Sequence, residues 1–227
     1  MMNRAFTLLL ALAGACTASF AQDIKGDAAV GVGKAAMCIG CHGIKGYQAS
    51  FPEVYRVPMI AGQGSKYIVA SLQAYAKGDR KHPTMRAVAT SLSDQDMADL
   101  GAFYEKQGKD AGAGAAATLA ASPPDALKDR LQICLSCHGA NFSSPIDPGY
   151  PKLAGQHADY LFAAMKSYGT DANPHVGRTN PTMRSQVVQE ADGKKKALYS
   201  SAELKVLAKY LASLPGDLHT VPQKSLR

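Results

Sequence analysis

Residues 37–43 read MCIGCHG, and residues 133–139 repeat the same pattern as ICLSCHG. Four of the five cysteines of the chain fall within these two Cys-x-x-Cys-His segments. Redox disulfides, zinc sites and covalent haem attachment all use the Cys-x-x-Cys spacing. The two segments are too far apart for a zinc ribbon, whose cysteine pairs stand about 15–20 residues apart. A redox disulfide needs no histidine after its second cysteine.

Covalent haem attachment explains every residue of the repeated pattern. Two cysteines three positions apart on a helical turn reach the two vinyl groups of a haem, and the histidine that follows lies under the iron as an axial ligand. The sequence therefore predicts two covalently attached haem c groups. The predicted attachment residues are Cys38, Cys41, Cys134 and Cys137, and the predicted axial histidines are His42 and His138.

The N-terminal residues have the order of a secretory signal peptide. A basic start at Arg4 is followed by a short apolar stretch and by a small-residue run that ends in SFA. We expect removal of residues 1–21 and a location of the mature chain in the periplasm. No later segment approaches the about 20 apolar residues that a membrane-spanning helix needs, so no membrane span is expected.

Cys16 gives the same region a second interpretation. It ends the segment LAGAC, which is similar to the acylation site of bacterial lipoproteins, but the leucine lies four residues before the cysteine instead of three. We therefore favour loss of Cys16 with the signal peptide. Acylation, with peripheral association of the protein with a membrane, stays the alternative.

The net charge of +7 does not indicate a nucleic-acid-binding protein. Lysines and arginines are scattered among acidic residues and form no stripe, and export separates the chain from nucleic acid. For the basic run GKKK at 193–196 two interpretations stay open, a solvated loop and a docking site for an acidic partner.

The mature chain consists of two repeats of one domain. The segment VPMIAGQGSKYIVASLQAY (57–75) matches YPKLAGQHADYLFAAMKSY (150–168), and HPTMR (82–86) matches NPTMR (180–184). Helical patterns lead into each Cys-x-x-Cys-His segment, follow each AGQ and form a last helix in each half, which predicts an all-α protein. The predicted boundaries are 22–108 for the first domain, 109–124 for a linker rich in alanine, and 125–227 for the second domain.

The last helix of each half carries its own start signal. Ser93 is followed three residues later by Asp96, and Ser200 is followed by Glu203. The second pair matches a capping box, and the first pair is a weaker version of it. We expect the last helices to begin at these serines.

The sixth ligand of each iron separates a closed carrier site from an open catalytic site. Met85 and Met183 recur in the identical word PTMR. We expect this word to lie in the loop before the last helix of each half. The soft thioether sulfur of methionine suits haem iron. His82 lies close by, but its counterpart is Asn180. We therefore predict Met85 and Met183 as ligands, against the alternative that both methionines fill the core.

With these features the chain resembles the cytochrome c4 family, which consists of dihaem periplasmic carriers. The resemblance rests on both Cys-x-x-Cys-His words, both AGQ segments, both PTMR words and the segment LSDQDMADLGAFY (92–104). It implies two tandem class I cytochrome c domains, each a small helical bundle around its haem, packed about a pseudo-twofold axis. It also implies His/Met ligation at both irons and haem edges that lie close together.

The same resemblance gives roles to residues near the axial histidines. Pro58 and Pro151 are placed like the proline whose carbonyl holds the histidine ring in class I cytochromes c, and the alternative is an ordinary turn proline. For Gln63, Gln156 and the paired tyrosines, binding of haem propionates and a place at the domain interface both stay open. For each tyrosine, packing in the core is a further alternative.

The implied function is the transfer of single electrons, without enzymatic activity. The donor is a quinol-cytochrome c reductase or a dehydrogenase, and the acceptor is a terminal oxidase in the membrane. The alternative is the electron-accepting subunit of a periplasmic dehydrogenase, for example one that oxidises thiosulfate. A dihaem peroxidase is disfavoured because it needs an open iron.

One segment departs from the family pattern. The interval from Met183 to Ser200 is longer than the interval from Met85 to Ser93. We expect the extra residues, within 185–199, to form a turn beside the second haem.

Overall fold

The computed structural model describes residues 24–110 and 122–222. The predicted signal peptide, which includes Cys16, lies outside the described residues, as do residues 111–121 of the predicted linker and residues 223–227.

The first half consists of helices joined by short strands. Its helices are α1 (Ala28–Lys34), α2 (Ala36–His42), α3 (Ser65–Lys77), α4 (Pro83–Thr90) and α5 (Asp94–Asp110). Its strands are β1 (Gln48–Ala49), β2 (Tyr55–Arg56) and β3 (Arg80–Lys81). β1 and β2 pair antiparallel in the long connection between α2 and α3.

The second half begins with a 3-10 turn and repeats the order α2, α3, β3, α4 and α5, with a pair of strands added before its last helix. Its helices are α6 (Lys128–His138), α7 (Ala158–Ser167), α8 (Pro181–Val187) and α9 (Ser201–Ser213). Its strands are β4 (Gly177–Arg178), β5 (Val188–Ala191) and β6 (Lys194–Ala197). The predicted all-α class is confirmed, since the strands are short and lie in the connections.

The last helices begin at the predicted serines because their first turns are capped. The Glu203 N–H donates to Ser200 Oγ at 3.2 Å, and the Ser200 N–H donates to the Glu203 carboxylate at 2.8 Å. Ser93 and Asp96 make the same reciprocal pair at 3.2 and 2.9 Å. Each pair satisfies two backbone donors that the first turn of a helix leaves free.

Each half has its own apolar core beside its Cys-x-x-Cys-His helix. In the first half α3 packs against α5, and Leu72 and Leu100 are buried there. In the second half α7 packs against α9, and Leu161 and Leu207 are buried there. The Cys-x-x-Cys-His helices lie at the edge of these cores, because Cys38 and Cys134 pack partly buried against them.

The expectation that Met85 and Met183 lie in loops was wrong. Met85 lies in the first turn of α4 and Met183 in the first turn of α8. Each helix starts on a proline at its first position, whose fixed φ suits a helix start. The side chain before that proline then accepts a hydrogen bond from the methionine N–H, at 3.3 Å for His82 Nδ1 and 3.0 Å for Asn180 Oδ1.

The extra segment after Met183 forms a β-hairpin rather than a simple turn. Strands β5 and β6 pair antiparallel from Val188 opposite Ala197 to Ala191 opposite Lys194. Asp192 and Gly193 turn the chain with positive φ values of 52° and 69°. Both residue types tolerate this left-handed backbone, which a two-residue hairpin turn requires.

The C-terminal segment returns to the first half of the molecule. After α9, His219 pairs with Ala61 in a β-bridge, and Val221 packs against the first core. A Cβ atom at Gly62 would lie 2.2 Å from the Asp217 carbonyl oxygen, so this crossing needs a glycine. The predicted boundary places this whole segment in the second domain, but the segment also contacts the first domain.

Within the described residues, no helix is both long and apolar enough to cross a membrane.

Candidate haem sites

The first site is a cavity of about 360 Å³ between α2, α3, α4 and α5. Cys38, Cys41 and His42 line it from α2, and Met85 lines it from α4. The structure therefore brings the four predicted residues of the first half around one space. Gln156 from the second half also reaches this cavity, so it opens onto the domain junction.

The walls of this cavity suit a large, flat and mostly apolar group. Ile68, Leu72 and Leu100 supply apolar surface. Ser71 and Tyr104 also line the cavity, and their buried hydroxyl groups have no hydrogen-bond partner among the described residues. Buried polar groups are normally paired, so these hydroxyls indicate a polar edge on the group that fills the space. The residues present therefore fit a haem.

Both axial-histidine candidates are held by a proline carbonyl. The Nδ1 atom of His42 lies 2.8 Å from the Pro58 oxygen, and that of His138 lies 2.9 Å from the Pro151 oxygen. A ring that donates from Nδ1 keeps Nε2 unprotonated for a metal. Burial lowers the pKa of both histidines, which favours the same neutral form.

The cysteines do not have the character of a redox disulfide. None of Cys38, Cys41, Cys134 and Cys137 forms a disulfide in the structure. Burial raises the pKa of Cys38 and Cys134, whereas catalytic Cys-x-x-Cys thiols have a lowered pKa.

The second site is built around α6 and α8. Cys134 packs at the edge of the second core, and His138 is buried with 5% of its surface exposed. Met183 packs against a small cluster that contains Tyr168 and Val187. Tyr199 is common to both groups, since it packs against the Met183 cluster and against the core beside Cys134.

The two AGQ glutamines lie at the domain interface, in agreement with one of the two roles left open for them. The side-chain amide of Gln63 donates to the Lys152 carbonyl at 3.0 Å and accepts from the Lys152 N–H at 2.9 Å. Gln156 makes the same two bonds with Met59, at 2.8 and 3.0 Å.

These crossed contacts connect each haem site to the opposite half. Met59 directly follows Pro58, which holds His42, and Gln156 of the second half fixes its backbone. Gln63 fixes Lys152 beside Pro151 in the same way. Each half therefore helps to position the histidine support of the other.

Sequence reasoning missed two arginines near these sites, Arg80 and Arg178. Each stands five positions before its PTMR methionine, so the shared word is longer, R-x-x-P-T-M-R. Arg80 lines the first cavity. A comparison of the two halves that continues from PTMR toward the N-terminus identifies both arginines.

A sequence model of the cytochrome c family matches residues 32–107 and 131–215. The fold and the two haem sites thus define a cytochrome c with two tandem domains.

Similarity to individual proteins indicates which kind of two-domain cytochrome c this chain is. Cytochrome c4 of Azotobacter vinelandii is 33% identical over 197 residues, which cover 81% of this chain and 90% of the relative. The structure of reduced recombinant cytochrome c4 from Pseudomonas stutzeri has a TM-score of 0.55 at 27% identity and covers 83% of this chain and 99% of its own. A thiosulfate dehydrogenase electron acceptor of Stutzerimonas stutzeri is 30% identical over 174 residues, covering 70% of this chain and 78% of the relative.

The chain belongs to the cytochrome c4 family. It is a dihaem electron-transfer protein with two covalently bound haem c groups.

Proposed function

We propose that the protein is a periplasmic carrier that takes single electrons from a respiratory donor and delivers them to a terminal oxidase. The proposed iron ligands are His42 and Met85 in the first half, and His138 and Met183 in the second. The observation that carries the proposal is that His42 and Met85 line the same cavity. A bound haem supplies a one-electron iron couple, and two protein ligands leave no position for a substrate.

The surroundings of the first iron support a carrier rather than a peroxidase. Peroxide chemistry needs an open iron and an acid–base group above it. His82 is the other histidine that lines the cavity, but its Nδ1 caps α4 by accepting from the Met85 N–H, and burial lowers its pKa. That side chain holds the ligand helix in place instead of moving protons.

A second function is favoured by the relatives named as thiosulfate dehydrogenase electron acceptors. In that role the donor is a periplasmic dehydrogenase, and the chain keeps the same internal chemistry. The two roles differ in the donor only.

Electron delivery tests the carrier proposal directly. The purified holoprotein, reduced with ascorbate, is mixed with oxidase-containing membranes, and haem oxidation is followed by absorbance. We expect oxidation that stops when the oxidase is inhibited, and no consumption of added hydrogen peroxide. Peroxide turnover, or no oxidation by the membranes, would contradict the proposal. Reduction by thiosulfate dehydrogenase, compared with reduction by quinol-cytochrome c reductase, separates the two donor roles.

The hairpin of the second half offers a docking surface for an acidic partner. On β6, Lys195 pairs with Asp171 and thereby ties the hairpin to the body of the domain. Lys194 and Lys196 are exposed, and alternation along the strand directs them away from Lys195. Among the described residues, no carboxylate forms an ion pair with either of them.

Changing Lys194 and Lys196 to glutamine is expected to slow association with the oxidase about tenfold at low ionic strength, because opposite charges mainly raise the association rate. The difference should shrink as salt screens the charges. Stopped-flow oxidation at several ionic strengths measures it. The matched control replaces the exposed Lys77 and Lys106 of the first half. Equal rates for the two double variants would leave the hairpin without a docking role.

A further inference from the structure

The hairpin of the second half is continuous with the helix that carries Met183. α8 ends at Val187 and β5 begins at Val188, so no loop separates them. The Leu198 N–H donates to the Val187 carbonyl at 2.9 Å, which joins the far end of the hairpin to the same point. In the first half only residues 91–93 connect α4 to α5. The hairpin is therefore an attachment of α8 that α4 lacks.

Both ends of the hairpin pack beside Met183. Val187 and Val188 are buried together with Tyr168, and Met183 and Tyr199 pack partly buried against this cluster. Val188 is the first residue of β5, and Tyr199 lies just beyond the end of β6. The contacts of the Met183 side chain thus depend on the position of the hairpin.

Arg184, the residue after Met183, ties α8 to the hairpin. Its Nε and Nη2 atoms both donate to one oxygen of the Glu190 carboxylate on β5, at 2.9 and 2.6 Å. Nη1 donates to the Tyr168 carbonyl at 2.5 Å, and Nη2 lies 3.2 Å from the Asp171 carboxylate. Only 18% of the Arg184 side chain is exposed. One rigid, planar guanidinium therefore joins α8, β5 and the segment after α7.

The opposite strand of the hairpin binds the same acidic residues. Lys195 of β6 pairs with Asp171, and its Nζ atom also lies 3.8 Å from the Glu190 carboxylate. Together with Arg184, these side chains form a closed network of two cations and two anions. A single exposed ion pair stabilises a protein little, whereas a network built on an arginine fork holds its partners in a defined geometry.

The hairpin also reaches the helix of the other proposed ligand. Arg130 on α6 donates from Nη1 to the Leu198 carbonyl at 3.0 Å. α6 ends at His138, and α8 contains Met183. The hairpin thus connects the two helices that supply the proposed ligands of the second iron.

The first half provides an internal comparison. Arg86 ends the first PTMR word as Arg184 ends the second, but its side chain is exposed. Among the described residues, no carboxylate forms an ion pair with Arg86. The two ligand helices share one sequence word, and only the second is tied down through its arginine.

We propose that the hairpin holds Met183 on the second iron and that Arg184 is the residue that positions it. This inference rests on the proposed function, because it takes Met183 as the sixth ligand. A thioether favours ferrous iron, so a methionine leaves the iron most readily in the ferric state. The second ferric haem is then expected to keep its methionine longer than the first, whose ligand helix has no such attachment.

Binding of imidazole to the ferric holoprotein measures how fast each methionine leaves its iron. At saturating imidazole the observed rate equals the rate of methionine dissociation. At about pH 8 imidazole is mostly neutral, so a changed charge on the protein does not steer it. Stopped-flow absorbance follows the loss of the far-red sulfur-to-iron band. The slow phase is assigned to the second haem by Met183→Ala, which has no methionine to lose there and should not show this phase.

The test compares Arg184→Gln and Arg184→Lys with the wild type and with the matched control Arg86→Gln. In the wild type we expect the second haem to bind imidazole about tenfold more slowly than the first, the scale of one charge-assisted hydrogen bond. Arg184→Gln should remove this difference by accelerating the second haem alone. Arg184→Lys should give an intermediate rate, because lysine keeps the charge but lacks the planar fork. The control should change either rate less than about twofold.

A double-variant cycle separates positioning through Glu190 from a general loss of stability. If Arg184 acts through Glu190, the Arg184→Gln/Glu190→Gln protein binds imidazole no faster than Arg184→Gln alone. Rates that multiply in the double variant contradict the proposed contact.

Several outcomes overturn the proposal. An Arg184→Gln protein that behaves like Arg86→Gln overturns it, as does an equal acceleration at both haems. If Arg184→Gln does not fold, the wild type decides, since two ferric haems that bind imidazole at the same rate contradict the proposal. A slow phase that survives in Met183→Ala contradicts Met183 as the ligand, and with it the proposed function.

Discussion

Replacement of Met183 by alanine is expected to open the second iron to carbon monoxide and to lower its reduction potential. The thioether favours ferrous iron, so its loss should lower the potential by roughly 0.1–0.3 V, within the about 0.8 V that axial ligands span. Met85→Ala should do the same at the first iron, where Met85 lines the cavity with His42. Absorbance spectra under carbon monoxide and a redox titration measure both effects.

The second half supplies a matched control methionine. Met165 packs partly buried against the second core, and its repeat partner is Leu72. Met165→Ala should cost stability, as a core truncation does, and leave the spectrum and the potential unchanged. If Met183→Ala behaves like Met165→Ala, the alternative that Met183 only fills the core is correct.

Loss of covalent attachment in the first half is expected to unfold that domain. The double variant Cys38→Ala/Cys41→Ala cannot attach the first haem. Its first domain then either keeps the cavity of about 360 Å³ or collapses to close it. Without the haem, the apolar walls lose a packing partner larger than any side chain, and truncating one large core side chain already costs about 2–5 kcal/mol. Several such losses are comparable to the whole stability of a domain, about 5–15 kcal/mol.

Limited proteolysis and thermal unfolding of this variant measure the effect. We expect cleavage within residues 24–110, the loss of one haem per chain and the retention of the second haem. The control is Leu100→Ala, a buried core residue beside the cavity whose truncation costs about 2–5 kcal/mol. It should lower the unfolding temperature and keep both haems. A haem-free first domain that unfolds cooperatively at the wild-type temperature would contradict the role of the haem as core.

The features that the sequence predicted well are local ones. The helix start at Ser200 depends on a side chain and a backbone group three residues apart, so the capping box is visible in the sequence. The helices that carry the Cys-x-x-Cys-His segments are likewise visible in the sequence, because each motif lies within a few consecutive residues. The helix around Met183 is not evident from the sequence, because a proline-led word such as PTMR suits a loop as well as a helix start, and only the structure shows that Asn180 and Pro181 begin a helix.

The features that the sequence did not predict depend on how the two halves meet. The repeat shows that Arg80 and Arg178 are equivalent, but only the pairing of β3 with β4 brings them together. Gln63 likewise had two possible partners until the interface placed it on Lys152. The return of His219 to Ala61 has no counterpart in the repeat, so no comparison of the halves could indicate it.

The most direct test of the account is the iron coordination of the unmodified protein. Absorbance and electron paramagnetic resonance are recorded at each step of a redox titration, and the reduced protein is then exposed to carbon monoxide. The account predicts two low-spin haems in both oxidation states, a far-red sulfur-to-iron band from both ferric haems, and no binding of carbon monoxide. A high-spin haem, or one that binds carbon monoxide in the wild type, would contradict the claim that both irons are closed electron-transfer sites.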